Sequence, residues 1–166
     1  MPKGMLCSGS YDRTVRIWNL NTGECLKTLY GHEFDVKCVL LLDSDHLASG
    51  SGDWSIKIWD IPSRLCLNTL KGHAGAILGL VMSPGEEIIS CSIDTTIKIW
   101  DWKTGECVKT LAGHAKYVKC ISLSIETQCL ISVSADGTIK SWDLERGKCV
   151  QTISVKSRDY RELKLL

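Results

Sequence analysis

A Trp followed by Asp or Asn closes a β-rich segment four times in the chain, at Trp18-Asn19, Trp59-Asp60, Trp100-Asp101 and Trp142-Asp143, in steps of 41, 41 and 42 residues. Self-similarity at one fixed period means that a single supersecondary unit is repeated, each copy burying its faces against the next. A residue that recurs with the period is explained first by the fold. Function peculiar to this chain must lie in residues that depart from it.

The 166 residues are enough for one domain with a buried core. Lys and Arg number 20 against 19 for Asp and Glu, so the basic excess that draws a chain to nucleic acid or to an anionic membrane is missing. No apolar run approaches a membrane span, and the N-terminus has no signal-peptide-like stretch. A cytoplasmic or nuclear protein is expected. The nine cysteines are odd in number and form no Cys-x-x-Cys pair, which argues against a disulfide framework and against zinc-ribbon spacing. Cys25, Cys66, Cys107 and Cys149 share one repeat position, and Cys38 and Cys120 share another. They read as small apolar residues of strands, kept as free thiols in a reducing compartment. No metal and no cofactor is expected.

One copy contains four short runs, Val36 to Leu42, His46 to Ser51, Ser55 to Ile61 and Leu65 to Leu70, separated by Gly, Asp, Ser or Pro. Each is rich in apolar or β-branched residues between turn formers, and Ser55-Ile56-Lys57-Ile58-Trp59-Asp60 alternates with period two, the mark of a half-buried strand. Four strands joined by tight turns make a small antiparallel sheet that must stack on its neighbours.

These units resemble the WD-repeat β-propeller family, whose copies carry a Gly-His pair, a turn Asp and a closing Trp-Asp. Here they are Gly31-His32, Asp53 and Trp59-Asp60; Gly72-His73, Asp94 and Trp100-Asp101; and Gly113-His114, Asp136 and Trp142-Asp143. The resemblance covers nearly the whole chain and implies an all-β propeller of four-stranded antiparallel blades. Residues 1–166 then form one propeller unit or half-ring with four blades, ending near 19, 60, 101 and 143. Three are complete. The first keeps Ser8, Ser10, Asp12 and Trp18 without an upstream Gly-His. Residues 154–166 read as a tail whose Tyr160, Leu163 and Leu165 fall, one step on, at the positions of Val118, Ile121 and Leu123. Tyr160 to Leu166 is thus expected to be the missing innermost strand. Val155-Lys156 stand there in place of Gly-His, so a blade completed by the tail would lack part of the repeat's polar set.

The resemblance also implies a buried hydrogen-bond network of His, a hydroxyl of the second strand, the turn Asp and the Trp: His32, Asp53 and Trp59; His73, Asp94 and Trp100; His114, Asp136 and Trp142; and, in the first unit, Asp12 and Trp18. Ser49 or Ser51, Ser90 or Ser92, and Ser132 or Ser134 could supply the hydroxyl. Ser, His and Asp together also invite a nucleophilic triad. Since the same set recurs once per blade, a structural role is the better reading and the chain is expected to be no enzyme.

Among the aromatics outside the repeat, Tyr11 and Trp54 flank turn aspartates, and Phe34 and Tyr117 lie just beyond Gly-His pairs. All four map to loops that share one rim of a propeller. With the charged Arg13, Glu33, Asp35, Lys37, Lys116 and Lys119 they form the expected partner-binding rim, because large rings bury much area at small entropic cost. Trp102 maps to the opposite rim, as packing or as a weaker contact. The expected function is a non-enzymatic scaffold for a protein or peptide. Four blades are few for a ring, so a homodimer completing an eight-bladed ring is expected, with a tightly curved four-bladed ring closed by the chain's own tail and a fragment of a longer protein as the alternatives.

Overall fold

A computed structural model of the chain describes residues 4–124 and 129–155. Among them every regular element is a strand. The first sheet holds β1 (Met5–Gly9), β2 (Val15–Asn19) and β3 (Cys25–Leu29). The second holds β4 (Val36–Leu41), β5 (His46–Ser51), β6 (Ile56–Asp60) and β7 (Leu65–Leu70). The third holds β8 (Ile77–Met82), β9 (Ile88–Ser92), β10 (Ile97–Asp101) and β11 (Glu106–Leu111), and the fourth β12 (Val118–Leu123), β13 (Cys129–Ser134), β14 (Thr138–Asp143) and β15 (Lys148–Ser154). Strands pair antiparallel in chain order within each sheet, as tight turns between short alternating runs require. The sheets are the blades of a β-propeller. The strand expected over Tyr160 to Leu166, and Lys156, lie outside the described residues.

Alternation sorts each blade's side chains to two faces. In the second blade, Val36, Leu47 and Trp59 pack with Val15, Ile17 and Leu29 of the first. Ala48, Ile56, Ile58 and Leu70 face the third blade and meet Ile77, Ile88 and Trp100. A third core joins Ile89, Cys91, Ile97 and Leu111 to Val118, Ile121, Leu130 and Trp142. The cores therefore lie between blades, and burying each of these aliphatic or aromatic side chains contributes about 1.5–3 kcal/mol. The closest approach falls on small residues: a Cβ on Gly50 would come within 2.6 Å of Ile77 Cγ2, and one on Gly9 within 2.6 Å of Val36 Cγ1. Polar ties run along the lower edge. Lys27 Nζ donates to the Ile61 and Pro62 carbonyls at 2.7 and 3.0 Å, and Lys109 Nζ to those of Leu144 and Glu145, both at 2.7 Å.

The strand bounds of the second blade differ from the sequence reading at three ends, Leu42, Ser55 and Ile61, for turn-chemical reasons; Ile61 gives its N–H to the Asp45 carbonyl at 2.7 Å. Leu42 donates its N–H to the His46 carbonyl inside a tight turn, and Ser55 gives its hydroxyl to Asp53. The repeated cysteines also need correction. Cys25, Cys66, Cys107 and Cys149 are exposed. Each sits on the outermost strand opposite a Trp, where the register slips at a β-bulge. There each thiol reaches the carbonyl two residues on, Cys66 Sγ lying 3.2 Å from Asn68 O, so the bulge and not the core accounts for the position.

Among the described residues, both terminal faces are exposed. Leu6 is 50 % exposed where its counterparts Leu47, Ile88 and Leu130 are at 0 %, and Ile153 is 49 % exposed where Leu70 and Leu111 are at 1 %.

Candidate functional site

In each complete blade the hairpin between the second and third strands brings the turn Asp under the loop that enters from the preceding blade. His32 Nδ1 lies 2.7 Å from Asp53 Oδ2 and its Nε2 lies 2.7 Å from Ser49 Oγ, which accepts the Trp59 indole N–H at 2.8 Å. The third blade repeats this with His73, Asp94, Ser90 and Trp100 at 2.6, 2.8 and 2.8 Å. The fourth uses His114, Asp136, Ser132 and Trp142 at 2.8, 2.7 and 2.7 Å. The serine left open by the sequence is thus Ser49, Ser90 or Ser132. Ser51, Ser92 and Ser134 instead cap the turn, each accepting the N–H of the Asp two residues on. The Gly of each Gly-His pair lies on the indole: a Cβ there would stand 3.1 Å from the Trp59 ring at Gly31, and 3.2 Å from the Trp100 and Trp142 rings at Gly72 and Gly113.

An indole N–H only donates, so the serine oxygen accepts it and donates its own O–H to His Nε2, leaving Nδ1–H for the carboxylate. Burial pushes all three histidines below their ordinary range despite the Asp partner, which keeps them neutral. Burial works against ionisation of Asp53 and Asp94 too. Hydrogen bonds outweigh it and hold both carboxyls at about 2, led by the hydroxyls of Ser55 and Thr96 and including the histidine rings and backbone N–H groups. Those hydroxyls, with Thr138 and Thr14, are members that the sequence reading missed. A Ser or Thr two residues after every turn Asp was the available signal.

The order Ser, His, Asp is that of a hydrolase triad, but the environment is not. Ser49, Ser90 and Ser132 are at 0 % exposure and each oxygen is occupied by an indole N–H. A nucleophile needs an open approach and an oxyanion site beside it. In the first blade, Trp18 donates to Ser8 Oγ at 2.9 Å, while Asp12 binds Thr14 and pairs with Arg16 at 2.5 Å on the surface. Asp12 and Trp18 are not bridged by a histidine.

The rim residues are positioned by two loop classes that hydrogen bond to each other. Gly52 N–H donates to Asp35 O at 2.9 Å, Ile93 N–H to Ala76 O at 3.0 Å, and Ala135 N–H to Tyr117 O at 3.0 Å. The hairpins between second and third strands and the blade-to-blade loops therefore form one surface, the upper rim. On it Tyr11 is 85 %, Phe34 60 %, Trp54 55 % and Tyr117 42 % exposed. Lys37 Nζ stands 5.0 Å above the Tyr11 ring and pairs with Asp35 at 2.5 Å; that carboxylate raises the Lys37 pKa. Tyr11, Phe34, Asp35 and Lys37 thus gather where the first and second blades meet, with Arg13 and Trp54 in the adjoining hairpins. Lys116, Tyr117 and Lys119 lie across the third blade, whose own loop offers the small Ala74, Gly75 and Ala76. Ile93, 49 % exposed at the repeat position of Tyr11, and Lys71 belong to the same rim and were missed. An aliphatic residue in a Ser-x-Asp turn was the clue.

On the lower rim the large ring is packed and the cations of the cleft are engaged. Trp102 packs against the core between the second and third blades, 5.6 Å from the His46 ring, and His46 is itself bound to Asp43 at 2.9 Å. A cleft of about 710 Å³ opens there between the third and fourth blades, but its Lys109 and Arg146 are already taken by the Leu144 and Glu145 carbonyls and by Asp143.

Comparison with known proteins agrees with this architecture. The profile of the WD domain, G-beta repeat family matches residues 2–19, 23–60, 64–101 and 105–143. Over 40 residues, 24 % of this chain and 11 % of the relative, the sequence is 52 % identical to an uncharacterized WD repeat-containing protein of Schizosaccharomyces pombe. It is 45 % identical over 40 residues to WD repeat-containing protein pop1 of the same yeast, 24 % of this chain and 5 % of that one. Mitochondrial division protein 1 of Aspergillus clavatus is 44 % identical over 43 residues, 26 % of this chain and 7 % of the relative. The matched spans are a small part of each curated relative. The crystal structure of the WD40 beta propeller domain of Doa1 superposes with a TM-score of 0.83 at 28 % identity, over 95 % of this chain and 52 % of that one. The four matched repeats and the blades they form place this chain in the WD domain, G-beta repeat family.

Proposed function

We propose that the chain is a non-enzymatic interaction scaffold whose upper rim binds a protein or peptide. The carrying observation is the exposure of Tyr11, Phe34, Trp54 and Tyr117 on one rim while the repeat's own Trp59, Trp100 and Trp142 are buried. Rings held on rigid hairpins bury large area on contact with little further ordering. The saturated networks beneath supply the rigidity. The test is quantitative binding of proteins retained by the immobilised chain. Trp54→Ala and Tyr117→Ala should each weaken retention without lowering the melting temperature; undiminished retention by both variants refutes the reading. Nine free thiols suit a reducing, cytoplasmic or nuclear, setting for this role.

A second reading concerns assembly and rests on the open terminal faces. Leu6 and Trp18 on one face and Ile139 and Ile153 on the other occupy positions that are buried inside the array. In a homodimer closing an eight-bladed ring, each face covers the other's apolar residues head to tail, and two-fold closure prevents further growth. Light scattering coupled to size exclusion should give twice the chain mass. A sharp monomer at all concentrations defeats this reading and leaves the faces to further blades of a longer protein.

A further inference from the structure

Charge is nearly balanced over the chain, with 20 basic and 19 acidic residues, but it is not evenly placed. On the upper rim the exposed Arg13, Lys71 and Lys116 form no ion pair among the described residues. The repeat adds Lys57, Lys98 and Lys140 near the upper ends of the third strands, each held to a threonine hydroxyl at 3.1, 2.9 and 2.9 Å. Of the acids of this rim, Asp12 pairs with Arg16 and Asp35 with Lys37, while Asp53, Asp94 and Asp136 keep their charge beside neutral histidines but are largely buried, 9, 9 and 10 % exposed. At the lower rim the balance reverses: Glu24, Asp45, Glu106 and Glu145 are exposed there without an ion pair among the described residues. Strands of five to six residues separate the rims by about 17–20 Å, some two Debye lengths at physiological ionic strength. The lower acids therefore do little to screen the upper field.

We propose that the upper rim selects an acidic, extended segment of a partner protein, an inference that rests on the upper rim being the binding face. Apolar side chains of the segment would seat between Trp54 with Phe34 on one side and Tyr117 on the other, over the small Ala74 and Gly75. Its carboxylates would meet Arg13, Lys71 and Lys116. A peptide with spaced carboxylates fits better than a nucleic acid strand, because Glu33 and the paired Asp12 and Asp35 interrupt the basic surface and repel a continuous run of phosphates.

The probe is a random dodecapeptide phage library selected on the immobilised chain, followed by anisotropy with the recovered peptides. The expected result is a pool enriched in Asp and Glu around an apolar residue. Lys71→Glu and Lys116→Glu should each lower affinity about threefold to tenfold at low salt, less at high salt, while Glu106→Lys on the lower rim changes nothing. A neutral or basic pool, or acidic peptides indifferent to both reversals, overturns the inference, as does a single-stranded oligonucleotide of equal charge that competes at equal affinity. Peptides lost on Trp54→Ala but unaffected by charge reversal leave the binding rim standing and remove only its acidic preference. Peptides unaffected by either change remove both.

Discussion

Replacing Ser90 by Ala isolates the interaction that closes a blade. Ser90 is at 0 % exposure and its hydroxyl joins Trp100 Nε1 to His73 Nε2, both at 2.8 Å. The substitution strands a buried indole N–H and a buried imidazole acceptor at once. With about 1–3 kcal/mol for each orphaned group, the expected loss is about 2–6 kcal/mol. The first blade supplies an internal control. Ser8 accepts the Trp18 N–H at 2.9 Å, but no histidine follows and Trp18 is only partly buried, so water can replace the lost hydroxyl and Ser8→Ala should cost about 0.5–1.5 kcal/mol. Urea unfolding at a shared slope reads both losses as shifts in midpoint, and exchange of the Trp100 indole proton should quicken in step. If the two variants differ by less than about 0.5 kcal/mol, the network is no chain of mutually dependent bonds and the account of Trp, Ser, His and Asp is wrong.

Acidification should destabilise the fold in two stages. The three histidines hold fewer protons folded than unfolded, so their contribution falls away as pH drops below 6.5, and that of Asp53 and Asp94 is lost between 3.8 and about 2; a melting temperature flat from pH 7 to 4 contradicts this. Gly50→Val should destabilise by about 1–3 kcal/mol or more, since a Cβ meets Ile77 within 2.6 Å, and calorimetry showing no loss would refute the close approach of the blades. Lys27→Met removes the amine from the Ile61 and Pro62 carbonyls and should quicken amide exchange in the first blade ahead of the others; uniform exchange would speak against the latch. Thr95→Gly relieves a β-branched residue at φ 75° and should stabilise by about 1 kcal/mol, with a lower melting temperature as the contrary result.

The period made the blades legible because strand alternation and turn residues recur in register, so Val36, Leu47, Ile56 and Ile58 announce their faces by spacing alone. The network was legible by residue type and not by connection. Ser49 and Ser51 are both buried in one strand, and only the placement of the His32 ring over β5 selects Ser49. The repeated cysteines were legible as strand residues but not as edge residues: Cys66 opposes Trp59 across a slipped register, on an outermost strand whose exposure the period does not reveal. Lys71 and Ile93 escaped notice because residue type does not recur at their loop positions: Lys71 stands where other blades have Tyr30 and Ala112, and Ile93 where they have Tyr11, Gly52 and Ala135. Their place on the rim depends on how neighbouring blades stack.

The hairpin turn itself shows where the fold yields to other demands. Each three-residue loop after a second strand needs its last residue in the left-handed region. The fourth blade places Gly137 there at φ 83°, whereas the others hold Arg13 at 71°, Trp54 at 70° and Thr95 at 75°. Gly137 demonstrates that the blade needs no side chain at this position, and each non-glycine residue costs about 1 kcal/mol or more in backbone strain. At Arg13 and Trp54 the side chains that accompany this cost are exposed and stand beside Tyr11 and Phe34, giving the rim its cation and its largest ring. The same exchange occurs on the lower rim, where Arg64 at φ 66° holds the repeat position of Gly23, Gly105 and Gly147, so the strain marks turns that tolerate a side chain and does not by itself single out one rim for recognition.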